Sequence, residues 1–448
     1  MVSRTSASSV AFVGTYSGSM ARLRKGARIS VAAGALATLA ACAGGNTPPG
    51  PGVNGVPGSI NSANASHDVG LILPLTGRNA VIGARMRDAA VLALSSHGSP
   101  KLDIHDSNGP GGSLQAVNDA VAHGDAILLG PLTATDTAMV SPVALNAGLP
   151  ELAFTSDSGN ARPGVWVLGL TPEQQVRRMI DAARATGRKT FAAFLPDNAL
   201  GHATGDGLVR ACQDAGLAVP QVVYHSADPQ SIVSGLKTLS AIDTRMPATA
   251  PVVAPPVADG PSAIDPVAEA PPAAPVSAAP AAPAPAVAVP PPPFDGLVLA
   301  DTGLALAQVI AELKADHIDA SNVQIMGPAL WKAFDGKLGA LHGAWYAAPD
   351  ARDRNGYVAQ YRAVYHQPPS PVTDLSYDAA ALSGALIKQG GVTAQGLTRA
   401  DGFMGVDGLF RLLPDGHVTR ALAIFQIQPG GGARIVVPAS REIAVRPS

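Results

Sequence analysis

Short runs of β-branched and aliphatic residues alternate with helix-period segments through most of this chain, and that alternation restricts the fold more than any other feature. Val69-Gly70-Leu71-Ile72-Leu73-Pro74-Leu75 is a continuous apolar run ended by a turn, the pattern of a strand buried on both faces. From Gly83 to Ser95, the apolar residues Met86, Ala89, Ala90, Leu92 and Ala93 recur at helical spacing. The order continues with strand Leu102-Asp103-Ile104-His105, a helix from Ser113 to Ala122, strand Ala126-Ile127-Leu128-Leu129-Gly130, a helix through Ala138-Met139-Val140, and strand Glu151-Leu152-Ala153-Phe154. It then repeats as helix Pro172 to Thr186, strand Thr190 to Phe194, helix Gly205 to Ala215 and strand Gln221 to Tyr224. Strand and helix in alternation imply parallel sheets covered on both faces. Two such sheets, in two domains, fit the length of 448 residues.

Two stretches break the pattern. Residues 43–66 are rich in Gly, Pro, Asn and Ser without hydrophobic periodicity, which reads as a flexible linker. Residues 246–293 are almost entirely Ala, Pro and Val, a composition that builds no packed core and is expected to be disordered and extended. Ordered α/β pattern flanks this run on both sides, so it is an insertion that leaves and re-enters one domain.

A formal net charge of −2 and the lack of any block of like charges give no electrostatic footprint for nucleic acid, which is not expected as a partner. The two cysteines are Cys42 and Cys212. Cys212 falls on the apolar face of Gly207-Leu208-Val209-Arg210-Ala211-Cys212 and reads as a small buried hydrophobe.

At the N-terminus, basic residues Arg22, Arg24, Lys25 and Arg28 precede an apolar run from Ile29 to Ala41, which ends in Leu39-Ala40-Ala41-Cys42. That order is a secretory signal over residues 1–41, too short for a permanent membrane span, with Met20 opening a second and more ordinary start. With the cysteine at the cut it resembles a bacterial lipobox. The resemblance implies lipidation at Cys42, a tether over 42–66 and a periplasmic location; Ala43, in place of the Asp that marks retention at the inner membrane, points to the inner face of the outer membrane.

Ligands of open parallel sheets sit outside the carboxyl ends of the strands. Pro74-Leu75-Thr76-Gly77, Gly130-Pro131-Leu132-Thr133-Ala134-Thr135 and Phe154-Thr155-Ser156-Asp157 all follow strands of the first series, so they line one rim with hydroxyls and backbone amides. No Gly-x-Ser-x-Gly elbow, Walker loop or His-Glu-x-x-His motif is present, and neither catalysis nor a cofactor is expected. Asp103, His105 and Asp106 form the densest polar group. Alternate strand positions let Asp103 and His105 share a face and turn Asp106 away, so no metal site is expected there. His202 and Asp206 read as a solvated helix start, and Trp331, Trp345 and Tyr346 as packing residues.

In these loops, and in Ala147-Gly148-Leu149-Pro150 after them, the chain resembles the type I periplasmic binding proteins of the Leu/Ile/Val-binding branch, from Val69 to Ile427 apart from the insertion. The resemblance implies two Rossmann-like lobes joined by three crossovers, near Leu170-Thr171, Tyr346-Ala347 and Met404-Gly405. Lobe 1 would comprise 67–170 plus 348–404, and lobe 2 would comprise 171–347 plus 405–430, with a tail at 431–448. It implies ligand-binding positions at Thr133, Ala134, Thr135, Thr155, Ser156, Asp157 and Asp301. Asp157 stands where amino-acid receptors offer a threonine hydroxyl, Ile82 where an aromatic covers the ligand, and Ala329 where an acidic residue pairs the ligand ammonium. A buried unpaired charge is costly, so an amino-acid zwitterion lacks a matched partner.

Penicillin-binding-protein activator lipoproteins lack the same residues, and the chain resembles them in Leu330-Trp331, in Phe403-Met404-Gly405-Val406-Asp407-Gly408-Leu409-Phe410-Arg411, in Asp415-Gly416 and in Arg420 to Ile424. The expectation is a lipid-anchored receptor for a small polar ligand, amino acid or amide-like, serving an ABC permease or a sensor. The alternative is an outer-membrane lipoprotein that regulates a peptidoglycan synthase.

Overall fold

The structure is a computed structural model that describes residues 68–96, 98–246 and 289–441. The expected signal peptide, Cys42, the tether and residues 247–288 of the insertion lie outside the described residues.

Five parallel strands form the first sheet: β1 (Val69–Leu73), β2 (Leu102–Asp106), β3 (Ile127–Leu129), β4 (Glu151–Ala153) and β5 (Val165–Val167), in the order β2-β1-β3-β4-β5. Because successive strand residues point to opposite faces, Leu71 and Leu73 pack with Met86, Ala90 and Leu386 on one side. Ile72 and Leu128 pack with Val117 and Val140 on the other. Each fully buried aliphatic side chain contributes about 1.5–3 kcal/mol, so a sheet apolar on both faces is held by helices on both. One covering helix, Pro371–Lys388, comes from far along the chain, and Ser376 Oγ donates to the Met86 carbonyl at 2.8 Å.

The second sheet contains β6 (Phe191–Pro196), β7 (Gln221–His225), β8 (Gly296–Leu299), β9 (Gln324–Gly327) and β10 (Trp345–Ala348), all parallel. A separate antiparallel sheet of β11 (Phe403–Gly405), β12 (Gly408–Leu412) and β13 (Val418–Arg420) follows. Then β14 (Ala423–Ile427) and β15 (Ala433–Val437) add antiparallel to the second sheet, giving the order β15-β14-β10-β9-β8-β6-β7. The architecture is two Rossmann-like α/β lobes joined by three crossovers.

The chain passes between the two lobes at three places. The first runs from β5 to helix Pro172–Ala185, whose N-cap Thr171 accepts the Gln174 amide at 3.2 Å, as expected near Leu170-Thr171. Tyr346 and Ala347 lie inside β10, so the second passage begins after Ala348. Met404 and Gly405 lie inside the β11–β12 hairpin; Phe410 and Leu412 of β12 and Val418 of β13 join the same core as Leu71 and Leu129. The third passage therefore falls between Arg420 and Ala423, and residues 405–420 belong with lobe 1. Part of the expected tail is ordered as the edge strand β15, held by its pairing with β14.

The ends of the insertion meet. Arg245 Nε donates to the Pro290 carbonyl at 2.8 Å, Arg245 Nη1 donates to the Ser240 carbonyl at 3.1 Å, and Phe294 is buried in the core of the second lobe.

Candidate functional site

Strands β1, β3 and β4 are neighbours, so the loops at their carboxyl ends lie side by side, at roughly the 4.8 Å strand spacing. Gly130 makes the close approach possible. It has φ +91°, and a Cβ there would meet the Ile72 carbonyl oxygen at 2.2 Å. The Phe154 amide donates to the Pro131 carbonyl at 2.9 Å and ties the second loop to the third.

Thr133 caps helix Ala134–Ala147. Its Oγ1 accepts the Asp136 amide at 3.0 Å, and the hydroxyl donates back to Asp136 Oδ2 at 2.6 Å. Ser113 Oγ donates to the other oxygen of the same carboxylate. Thr155 is buried, and its Oγ1 accepts the Asp157 amide at 3.1 Å. Asp157 in turn accepts the Gly159 amide at 3.0 Å and Asn160 Nδ2 at 3.3 Å. Thr133, Thr155 and Asp157 thus frame the rim, Thr135 and Ser156 on it are exposed, and the amides of Ala134 and Thr135 belong to the first turn of the helix, where intrahelical acceptors are lacking.

The structure brings six of the seven expected ligand positions to this rim and sets Asp301 apart. The Asp301 side chain, after β8 in the second lobe, is only 1% exposed, and its Oδ2 lies 3.3 Å from His225 Nε2. Burial would lower the His225 pKa, but the Asp301 carboxylate and the Ser226 carbonyl hold it above the ordinary histidine value. Phe194 stacks on His225 with ring centroids 4.3 Å apart, and Trp331 Nε1 donates to the Asp301 carbonyl at 3.1 Å. This side chain is buried against His225, and its Oδ1 has no hydrogen-bond partner among the described residues. At Ala329 the backbone amide donates to Gln175 Oε1 at 2.7 Å, so a neutral amide stands where an acidic group would meet an ammonium.

Two contributors escaped the reading of the sequence. Asp106 ends β2 and accepts the Leu75 amide at 2.8 Å, the Thr76 hydroxyl at 2.7 Å and the Asn108 amide at 3.0 Å. Burial works against its charge, yet these hydrogen bonds hold its carboxyl below the ordinary range. Arg78, in the loop after β1, is exposed and makes no ion pair among the described residues. Its only sequence signal is its place directly after Thr76-Gly77. The carboxyl end of the second sheet offers apolar groups instead: Leu304 is 87% exposed and Leu330 55%.

A cavity of about 630 Å³ lies elsewhere, between helix Pro371–Lys388 and the β11–β12 hairpin, lined by Asp350, Tyr377, Asp378, Phe403 and Met404. Its buried Asp378 accepts the Val406 amide at 2.7 Å, and burial pushes the carboxyl up to about 7.

Among solved structures, the chain is similar to a protein assigned to branched-chain amino acid ABC transport from Rhodospirillum rubrum, at TM-score 0.60 and 17% identity, over 82% of this chain and 99% of that one. It is also similar to full-length LpoA from Haemophilus influenzae, at TM-score 0.57 and 16% identity, over 84% of this chain and 60% of that one. The LpoA C-domain, described as a regulator of PBP1A, aligns at TM-score 0.55 and 16% identity over 83% of this chain and all of the domain. An uncharacterised protein of Rickettsia prowazekii is 20% identical over 192 residues, 42% of this chain, and the match spans about half of that relative's length. The sequence profile described as periplasmic binding protein matches residues 67–433, and the chain belongs to that family of periplasmic binding proteins.

Proposed function

We propose that this protein is a lipid-anchored periplasmic receptor that binds a small carboxylate-bearing solute without an ammonium group, for ABC-type transport or sensing. The observation that supports this reading is the lobe 1 rim, whose loops carry Arg78, the first-turn amides of Ala134 and Thr135 and the exposed residues Thr135 and Ser156, all groups able to donate to an anionic acceptor. Leu304 and Leu330 at the other sheet's rim suit an apolar remainder of the ligand. The absence of an acidic group at Ala329 and the enclosure of Asp301 argue against an amino-acid zwitterion. Closure of the two lobes is driven only by a ligand that binds the closed form better than the open one. Lipid at Cys42 and a tether over 42–66 would hold the receptor at the inner face of the outer membrane.

A thermal-shift screen of carboxylic acids, amides, amino acids and muropeptides tests the reading. Stabilisation by a carboxylate that Arg78→Ala abolishes supports it; selective stabilisation by zwitterionic amino acids overturns the ligand class. The second reading, a regulator of a peptidoglycan synthase, draws on the missing ammonium partner and on Met404, 65% exposed at the β11–β12 hairpin. A screen without any ligand, together with direct binding to a penicillin-binding protein that Met404→Glu weakens, would carry that reading.

A further inference from the structure

On the face of the first sheet covered by helix Gly112–His123, side chains from β2 and from the end of that helix converge. Asp103 and His105 lie two apart on β2 and share that face, and His123 ends the helix. Asp103 Oδ2 is 2.9 Å from His105 Nε2 and 2.7 Å from His123 Nδ1. All three donor atoms lie within 4.8 Å of one another.

A second observation points to a ligand. Asp125 is only 5% exposed, and neither of its carboxylate oxygens has a hydrogen-bond partner in the structure. A carboxylate left this way is unfavourable unless it takes up a proton or a cation comes to it, and burial pushes Asp125 up to about 7. It lies beside the cluster: a Cβ on Gly70 would meet Asp125 Oδ2 at 2.6 Å, and Gly70 is the cross-strand partner of Asp103. Side chains paired across a parallel ladder point to the same face, so the Asp125 carboxylate occupies the slot beside Asp103 that the missing Gly70 side chain leaves open. The αL turn at Gly124 places His123 and Asp125 on either side of the same bend.

We propose that Asp103, His105 and His123 bind one divalent transition-metal ion of the zinc class, with the buried Asp125 carboxylate beside them adding negative charge without ligating it. Two imidazoles with a carboxylate suit zinc, cobalt or nickel, whereas calcium and magnesium take oxygen ligands throughout. The ion reaches the site without any opening of the fold, because the His123 side chain is 60% exposed while His105 is 9% exposed. Bound there, it pins the end of helix Gly112–His123 to β2 and neutralises two carboxylates together.

Chelator-treated, tag-free protein titrated with zinc chloride by calorimetry decides the point, with calcium and magnesium chloride as controls. The expected result is one zinc per chain, no calcium or magnesium at the same concentrations, and loss of binding in His123→Ala. Asp125→Asn is expected to weaken zinc by roughly 10–100-fold, as for groups that support metal ligands. His123 is on the surface, and an unchanged metal-free unfolding midpoint verifies that its variant folds; His105→Gln supplies an independent second test. No stoichiometric zinc, or equal zinc affinity in wild type, His123→Ala and His105→Gln, overturns the proposal.

Discussion

Asp106 Oδ1 accepts the backbone N–H of Leu75 at 2.8 Å, so the end of β2 is bound to the loop that follows β1. The same carboxylate holds the Thr76 hydroxyl, and Asn108 Nδ2 donates to the Thr76 carbonyl at 2.8 Å, which closes a small network around the loop that carries Arg78. Asp106→Ala removes hydrogen bonds to a charged group, each worth up to about 1.5–3 kcal/mol net and less where solvent reaches them, and a loss of about 1–3 kcal/mol in stability is expected by denaturant unfolding. Because the folded carboxyl titrates below its unfolded value, this contribution is present above the unfolded pKa and fades as pH falls through the lower, folded one. A stability of Asp106→Ala equal to wild type at pH 7 would show that the network is not formed.

Glu151 gives the opposite sign. It is fully buried in β4, and burial pushes its carboxyl up to about 8, with Ser141 and Arg162 pulling the other way. Between its unfolded value of about 4.3 and the folded one, the native state binds a proton that the unfolded chain has released. The contribution is complete below about pH 4.3 and declines as pH rises towards 8, by up to a few kcal/mol. Asp378, held near 7 by burial, adds a decline of the same direction. Glu151→Gln, the shape of the protonated acid, should flatten part of the fall in unfolding midpoint between pH 5 and pH 8.5; an unaltered pH profile would contradict the assignment.

The bond between Arg245 and the Pro290 carbonyl brings the two ends of the Ala/Pro-rich insertion together. Replacing residues 247–288 by a short Gly/Ser link should therefore shift the unfolding midpoint by less than about 5 °C, since loop-closure entropy changes slowly with length. A larger fall would mean that the removed segment packs on the second lobe.

Cys42→Ala should release the protein to the soluble periplasm or leave it with an uncleaved signal. Mass spectrometry of the wild-type protein from membranes checks the anchor directly, and a mature chain without lipid would refute it.

The alternation of strand and helix was legible because a doubly covered parallel strand must be apolar along its length, as Val69–Leu73 and Ile127–Leu129 are. The strand Val165–Val167, of three residues, carries too little periodicity to be read. The β11–β13 sheet was recognisable as turns and apolar residues, but its sequence does not say which core takes Phe410 and Leu412; only the packing assigns them to the first lobe. The rim loops were legible because turn residues follow buried runs. The contact of Asp301 with His225 was hidden because the two are 76 residues apart, and contact over such a separation leaves no local pattern. His123 and Asp103, 20 residues apart, were hidden for the same reason.

On the proposed function, the lobe 1 rim holds an anionic group on the hydroxyls of Thr135 and Ser156 and on first-turn amides. Calorimetry of the best carboxylate from the screen, against wild type and the double variant Thr135→Ala with Ser156→Ala, tests it most directly. Each hydrogen bond to a charged acceptor is worth about 1.5–3 kcal/mol, so a loss of roughly a hundredfold or more in affinity is expected. The unfolding midpoint of the unliganded double variant should stay within a degree or so of wild type, because both side chains are exposed and outside the core. Equal affinity in the double variant and wild type would place the ligand away from this rim and contradict the account.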